Sequence, residues 1–271
     1  MRIFDRPPAR YLAPNLVTCL GLVFGLASIR TSLMGQAMAD FHQAAWFILY
    51  AVLLDKLDGA VARRLKASSE IGVQLDSFSD FVTFGLAPAA LVTAMVPRAL
   101  PDPWASGAHH AVLLGLGATY AVAAALRLAK FNVTTATIGP RFFMGLPSTS
   151  SGGLLASAFL AHQELGLATA ALAGMVGFLA ANAVLMVSNL PMPKLHISKN
   201  PVFKAVQIAV VAAVYVLVPL HRFPTFLIAA AALYTVGGFI YGWSVTKGGT
   251  IPGSADDDED EGEDPRPSHA V

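Results

Sequence analysis

Long apolar runs, separated by short polar segments, make up most of the chain as far as about residue 245. A helix needs about 20 predominantly apolar residues to cross the hydrocarbon core of a bilayer, so each run is a candidate membrane span. The predicted spans are residues 14–33, 41–62, 73–95, 109–130, 146–163, 167–188, 202–219 and 224–245, of which the fifth and seventh are short. The pattern predicts an all-α fold, a polytopic membrane helical bundle with about eight transmembrane helices.

Composition supports a membrane protein and divides the chain into two parts. Of its 271 residues, 55% are hydrophobic and only 13% are charged, which excludes an ordinary soluble domain. Eight of the seventeen acidic residues lie between Asp256 and Asp264, so the formal net charge of +1 conceals a basic body. We expect residues 1–247 to form the membrane domain and residues 248–271 to form a disordered acidic tail.

The distribution of basic residues predicts the orientation of the bundle. With a cytoplasmic amino terminus, fourteen Lys and Arg residues fall on the cytoplasmic side, against Arg30, Arg98 and Arg222 on the other. This asymmetry follows the positive-inside rule, which favours eight spans and two cytoplasmic termini. Basic loops are expected to face anionic membrane lipids, and no nucleic-acid partner is expected.

Four aspartates between the second and third predicted spans have helical spacing. Asp55 and Asp58 are three apart and Asp76 and Asp80 four apart, so each pair shares one helix face. A carboxylate inside a bilayer costs roughly 2.5 to 3.5 kcal/mol, so four of them need a compensating charge. Divalent cations prefer oxygen ligands, and the sequence therefore predicts a metal site at the cytoplasmic ends of these helices.

The stretch from Asp55 to Asp80 resembles the signature of the CDP-alcohol phosphotransferases, D-x2-D-G-x2-A-R-x8-G-x3-D-x3-D. The matching residues are Asp55, Asp58, Gly59, Ala62, Arg63, Gly72, Asp76 and Asp80. The resemblance implies a six-helix catalytic core, a homodimer in a bacterial inner membrane, and Mg²⁺ or Mn²⁺, two ions per active site. It also implies roles for the matching residues: Asp55, Asp58 and Asp76 hold metal, Asp80 is a metal ligand or the catalytic base, and Gly59, Ala62, Arg63 and Gly72 lie along the CDP moiety.

Three further stretches, LDSFSDFVTFGLAP, AALRLAKFNV and MVSNLPMPK, resemble the phosphatidylserine synthase branch of that family. The resemblance implies CDP-diacylglycerol as donor and L-serine as acceptor. Arg127, Lys130 and Arg141 are the candidate acceptor-binding cations, while Ser148 to Ser151 are expected to cap a helix and pack. One segment departs from the family pattern, because GLPSTSSGG stands where a sequence closer to GLPSPAAA is expected.

Two alternatives remain open at this point. The same chemistry could serve another alcohol, such as glycerol 3-phosphate or an inositol compound, since an anionic acceptor would suit the three candidate cations. A cation-binding transporter could also use intramembrane carboxylates. Near the amino terminus, Asn15 and Thr18 are expected to cap the first helix or bond locally, with a place near the nucleotide as the alternative.

Overall fold

The computed structural model describes residues 12–65, 70–134, 142–193 and 201–246. The predicted tail at 248–271 and the candidate residue Arg141 lie outside these ranges. The described residues form ten α-helices: α1 Leu12–Met34, α2 Met38–Leu65, α3 Glu70–Asp80, α4 Ala87–Ala99, α5 Pro101–Trp104, α6 Gly107–Thr134, α7 Ser148–Glu164, α8 Gly174–Val187, α9 Pro201–Leu217 and α10 Pro224–Thr246. A π-helical turn, Phe81–Leu86, joins α3 to α4, and a 3₁₀ turn, Thr169–Ala173, precedes α8.

Two short strands lie in the connections on either side of α7 and α8. β1, Phe142–Met144, pairs antiparallel with β2, Pro191–Pro193. Gly145 follows β1 with a φ of +75°, and a Cβ there would lie 2.5 Å from the carbonyl oxygen of Met186. A glycine is therefore required at this turn.

All eight predicted spans fall on helical segments, and the all-α membrane bundle is confirmed. Five helical segments of the described chain are long and apolar enough to cross a bilayer: Leu12–Met34, Ile71–Ala99, Gly107–Val133, Thr169–Val187 and Pro224–Val245. The other three predicted spans correspond to the charged helix α2, the 17-residue α7 and the short apolar segment of α9. The number eight stays a prediction.

Helix α1 shows how the bundle uses small residues. Its buried face is made of Pro14, Thr18, Gly21, Gly25, Ser28 and Ser32. Large apolar residues of the same helix, such as Leu16 and Leu20, are exposed. Lipid is as apolar as leucine, so small residues favour helix contact by letting backbones approach closely. A Cβ at Gly25 would overlap Thr83 of the π-helical turn, which shows how close α1 comes to that turn.

The π-helical turn has an identifiable cause in the sequence. In an α-helix the carbonyl of Phe84 would accept a hydrogen bond from the N–H of residue 88, but residue 88 is a proline and has no N–H. The buried Tyr120 hydroxyl on α6 donates to this carbonyl at 2.9 Å. The turn is thus held by a side chain from a neighbouring helix, immediately after Asp80.

Candidate active site

Three carboxylates converge where α2 meets α3. One oxygen from each of Asp55, Asp76 and Asp80 lies within 4.8 Å of the others. Asp76 and Asp80 share a face of α3 because they are four residues apart. Asp55 lies on α2, which precedes α3 in the chain. The sequence predicted a shared site of four aspartates, and three of them lie together in this cluster.

Asp58 lines the same small cavity but has a separate partner. It is buried, and Thr18 Oγ1 donates a hydrogen bond to its Oδ2 at 2.8 Å. The Thr18 hydroxyl also lies 3.1 Å from the carbonyl of Pro14, so the local bond expected for this threonine is present. The sequence did not predict the bond to Asp58, which joins two residues 40 positions apart in the chain.

The charges around the cluster leave two carboxylates without donors. Lys56 Nζ lies 2.8 Å from Asp55 Oδ2, in an ion pair on the exposed side of the site. Neither Asp76 nor Asp80 accepts a hydrogen bond from any residue in the described ranges. A buried anion without donors is costly, and oxygen atoms at this separation suit a divalent cation. The donor set fits a Mg²⁺ or Mn²⁺ site.

Arg127 approaches the cluster from α6. Its side chain is only 7% exposed, its Nη1 donates to Ser148 Oγ at 3.0 Å, and its charge acts favourably on Asp80 and Asp55. Lys130, one turn further along α6, is half-buried and donates instead to Asn189 Oδ1. Two of the three cations grouped by sequence thus point to different places, and of these two Arg127 is the one that faces the carboxylates.

The remaining signature residues lie towards the helix ends near the cluster. Gly59, Ala62 and Arg63 are on the last two turns of α2, and Gly72 is on the first turn of α3. The cavity around the carboxylates is lined instead by five residues that the sequence did not single out for it, Gly21, Ala51, Ser79, Thr83 and Phe84, and by Thr18, for which a place near the nucleotide was the alternative. The glycines of α1 at positions 21 and 25 were the available signal, since small residues four apart mark a close helix contact.

An apolar groove opens beside the cluster. It has a volume of about 260 Å³ and lies between α2, α7, α9 and α10. Valines of α9, such as Val210 and Val214, form part of its wall, and Lys56 lies at its lining together with Tyr215 and Tyr234. The same lysine therefore contacts both the acidic cluster and an apolar surface.

Comparison with known sequences places these features in one class. The profile of the CDP-alcohol phosphatidyltransferase family matches residues 11–237. A CDP-diacylglycerol–serine O-phosphatidyltransferase of Mycobacterium leprae is 35% identical over 221 residues, covering 77% of this chain and 68% of the relative. Enzymes of the same name from Helicobacter pylori strain J99 and Bacillus subtilis are 28% and 32% identical, covering 85% and 69% of this chain and 90% and 94% of the relatives.

The α-helical membrane bundle, its carboxylate cluster and the family profile together define a membrane-embedded transferase. The chain belongs to the CDP-alcohol phosphatidyltransferase family.

Proposed function

We propose that the protein transfers the phosphatidyl group of CDP-diacylglycerol to L-serine and releases CMP. The observation that carries this proposal is the approach of Arg127, a buried cation, to a carboxylate cluster in which Asp76 and Asp80 have no donor among the described residues. The carboxylates supply the common chemistry of the family, and Arg127 offers one positive charge for an acceptor. The names of the three relatives support serine as that acceptor.

The donor's head and tails would occupy two adjoining surfaces. Asp55, Asp58, Asp76 and Asp80 would hold two divalent ions, which when bound neutralise the diphosphate and stabilise charge at phosphorus. Gly59, Ala62, Arg63 and Gly72 would lie along the CDP moiety. The apolar groove beside Lys56 would receive the acyl chains. The ammonium group of Lys56 would then lie near the phosphates of the donor.

The acceptor would react between Asp80 and Arg127. The Asp80 carboxylate takes the proton from the serine hydroxyl, the serine oxygen bonds to phosphorus, and the bond from phosphorus to the CMP oxygen breaks. Arg127 and Ser148 would bind the serine carboxylate, because a guanidinium group matches a carboxylate with two parallel donors. Lys130 and Arg141 would act at the entrance to this pocket.

A test of this proposal supplies labelled L-serine and CDP-diacylglycerol with Mn²⁺ to the purified full chain. The expected products are phosphatidylserine and CMP. Arg127→Ala should raise the KM for serine by about ten- to a hundredfold, since a charge-assisted hydrogen bond contributes about 1.5 to 3 kcal/mol. Lys130→Ala is the matched control and should change the serine KM much less. Consumption of glycerol 3-phosphate or an inositol compound in place of serine would disprove the acceptor assignment, and cation flux without CMP release would favour a transporter.

The site is proposed to face the cytoplasm, with both termini on the same side of a bacterial inner membrane. The excess of basic residues in the segments near the site supports this orientation. We also propose a homodimer, as the family resemblance implies. Labelling of single cysteines placed at the two ends of the bundle in sealed vesicles tests the first, and the mass of the detergent-solubilised protein tests the second.

A further inference from the structure

We propose that Tyr120 is a positioning residue for the carboxylate cluster, acting through its hydrogen bond to the Phe84 carbonyl. This inference rests on the proposed role of Asp80. Asp80 ends α3, and the π-helical turn that begins at the next residue carries Thr83 and Phe84, which line the carboxylate cavity. The geometry of that turn therefore controls both the Asp80 side chain and a wall of the site.

The turn is held from two sides by close contacts. A Cβ added at Gly85 would lie 3.1 Å from the Cβ of Ala124 on α6. A Cβ added at Gly152 on α7 would lie 3.0 Å from the Phe84 ring. These contacts seat the turn between α6 and α7, but they do not provide a donor for the Phe84 carbonyl. A hydrogen bond to this carbonyl requires a polar donor, and the Tyr120 hydroxyl lies 2.9 Å from the carbonyl oxygen.

The Tyr120 hydroxyl also belongs to a buried chain of hydrogen bonds, in which Ser151 is a second acceptor for its hydrogen. Asn182 on α8 donates from Nδ2 to the Phe178 carbonyl at 2.9 Å, which directs its Oδ1 towards Ser151. Ser151 Oγ donates to that Oδ1 at 3.0 Å and so is left as an acceptor towards Tyr120, 2.9 Å away. The single hydrogen of Tyr120 is therefore shared between Ser151 Oγ and the Phe84 carbonyl.

The network links three helices to the turn that follows Asp80. Ser151 belongs to GLPSTSSGG, the segment that departs from the family pattern. It connects the turn after Asp80 to α6, α7 and α8 through side chains that are all buried. Arg127 lies two turns beyond Tyr120 on α6, so one helix both places a charge near Asp80 and holds the backbone that follows it.

The proposal predicts different results for two single substitutions. Tyr120→Phe removes the donor to the Phe84 carbonyl. We expect it to weaken Mn²⁺ binding, measured by electron paramagnetic resonance on the full chain, by about five- to tenfold. We expect kcat to fall by a similar factor with the serine KM within about twofold of the original. Ser151→Ala leaves the Tyr120 hydrogen wholly available to Phe84, so Mn²⁺ affinity should stay within about twofold of the original.

Tyr50→Phe is the matched control, because the Tyr50 hydroxyl also makes a 2.8 Å hydrogen bond, to His221 at the opposite end of the bundle. It should leave Mn²⁺ affinity and kcat unchanged. Hydrogen exchange should quicken in Tyr120→Phe at the amides between residues 85 and 89 and nowhere in α1. Unchanged Mn²⁺ affinity in Tyr120→Phe, or an equal loss in Ser151→Ala, would overturn the proposal. Mn²⁺ binding and exchange do not require serine, so these results are separate from a failure of the proposed function.

Discussion

The two ends of the helical bundle differ in how many hydrogen-bond donors lie near their acidic side chains. At one end, which we call the capped end, Asp40 and Glu164 have local donors. Asp40 Oδ2 accepts the N–H groups of Gln36 and Ala37 at 2.8 and 3.0 Å. Glu164 Oε2 accepts both the N–H and the hydroxyl of Thr225 at 2.8 and 2.6 Å. These carboxylates stabilise turns and helix ends.

At the acidic end, defined by Asp55, Asp58, Asp76 and Asp80, donors are too few for the carboxylates. Lys56 forms an ion pair with Asp55, and Thr18 donates a hydrogen bond to Asp58. Asp76 and Asp80 have no donor among the described residues. Folding alone would favour the arrangement seen at the capped end, because unpaired buried anions are unfavourable. The difference indicates that the acidic end is built for a ligand, whereas the capped end is built for stability.

The largest expected effect comes from exchanging one carboxylate at each end for an amide. Asp80→Asn should lower kcat by about a hundred- to ten-thousandfold, the usual contribution of a catalytic base. Asp40→Asn should leave kcat unchanged and reduce only thermal stability. Steady-state CMP release measures the first effect and thermal unfolding the second. Comparable kcat losses in both variants would remove the distinction between the two ends.

Metal removal should affect the same end. Excess chelator should abolish CMP release, and Mn²⁺ or Mg²⁺ should restore it. Mn²⁺ at a hundred times its Kd should stabilise the fold by about 2.7 kcal/mol, because it binds only the folded protein. Asp76→Asn should lose most of this stabilisation, and Glu164→Gln should keep it. Full turnover in chelator would contradict a metal site.

A smaller effect is expected from the cation that pairs with Asp55. Lys56 competes with a metal ion for that carboxylate, so Lys56→Gln should increase Mn²⁺ affinity by a few-fold, about the value of an exposed ion pair. The same change should raise the KM for CDP-diacylglycerol, since the lysine also lies at the groove. Arg98→Gln at the capped end, where Arg98 bonds to Gln36, is the control. A decrease in Mn²⁺ affinity would show that Lys56 assists metal binding.

The smallest effect is a pH dependence at the capped end. The hydrogen bonds from the hydroxyl and N–H of Thr225 lower the pKa of Glu164. Its stabilising contribution is therefore present above the unfolded-state pKa of roughly 4.3 and is lost as the pH falls through the lower folded-state value. Glu164→Gln should lower the unfolding temperature slightly at neutral pH, and the difference should vanish in acid. A difference that grows in acid would mean that other groups dominate.

The features predicted from sequence are those that depend on local periodicity. The spacing of Asp55, Asp76 and Asp80 depends only on helix geometry, and the apolar runs set the positions of the eight helical segments. Tyr120 was not predicted as part of the site, and Thr18 was placed there only as an alternative, because their partners, Phe84 and Asp58, are 36 and 40 residues away. Such contacts depend on which helices pack together, and local spacing carries no information about that.

The divergence of Arg127 and Lys130 has a similar origin. Three residues along a helix place two side chains about 60° apart around the axis, enough for one to face the bundle and the other its surface. The sequence grouped them by charge, but packing against Ser148 buries the first and leaves the second beside Asn189. Helix rotation, which tertiary contacts determine, decided which cation reaches the site.

The π-helical turn at Phe81–Leu86 also has a consequence for how this chain can vary. A π-helical turn contains one residue more than the α-helical turn it replaces, so the helices before and after it keep the relative rotation of a shorter, regular helix. The turn is therefore the place where a one-residue deletion would preserve the faces of both α3 and α4. Elsewhere in these helices a deletion would rotate every later side chain by about 100° around the helix axis. The carboxylates would then no longer face the helices that pack around them.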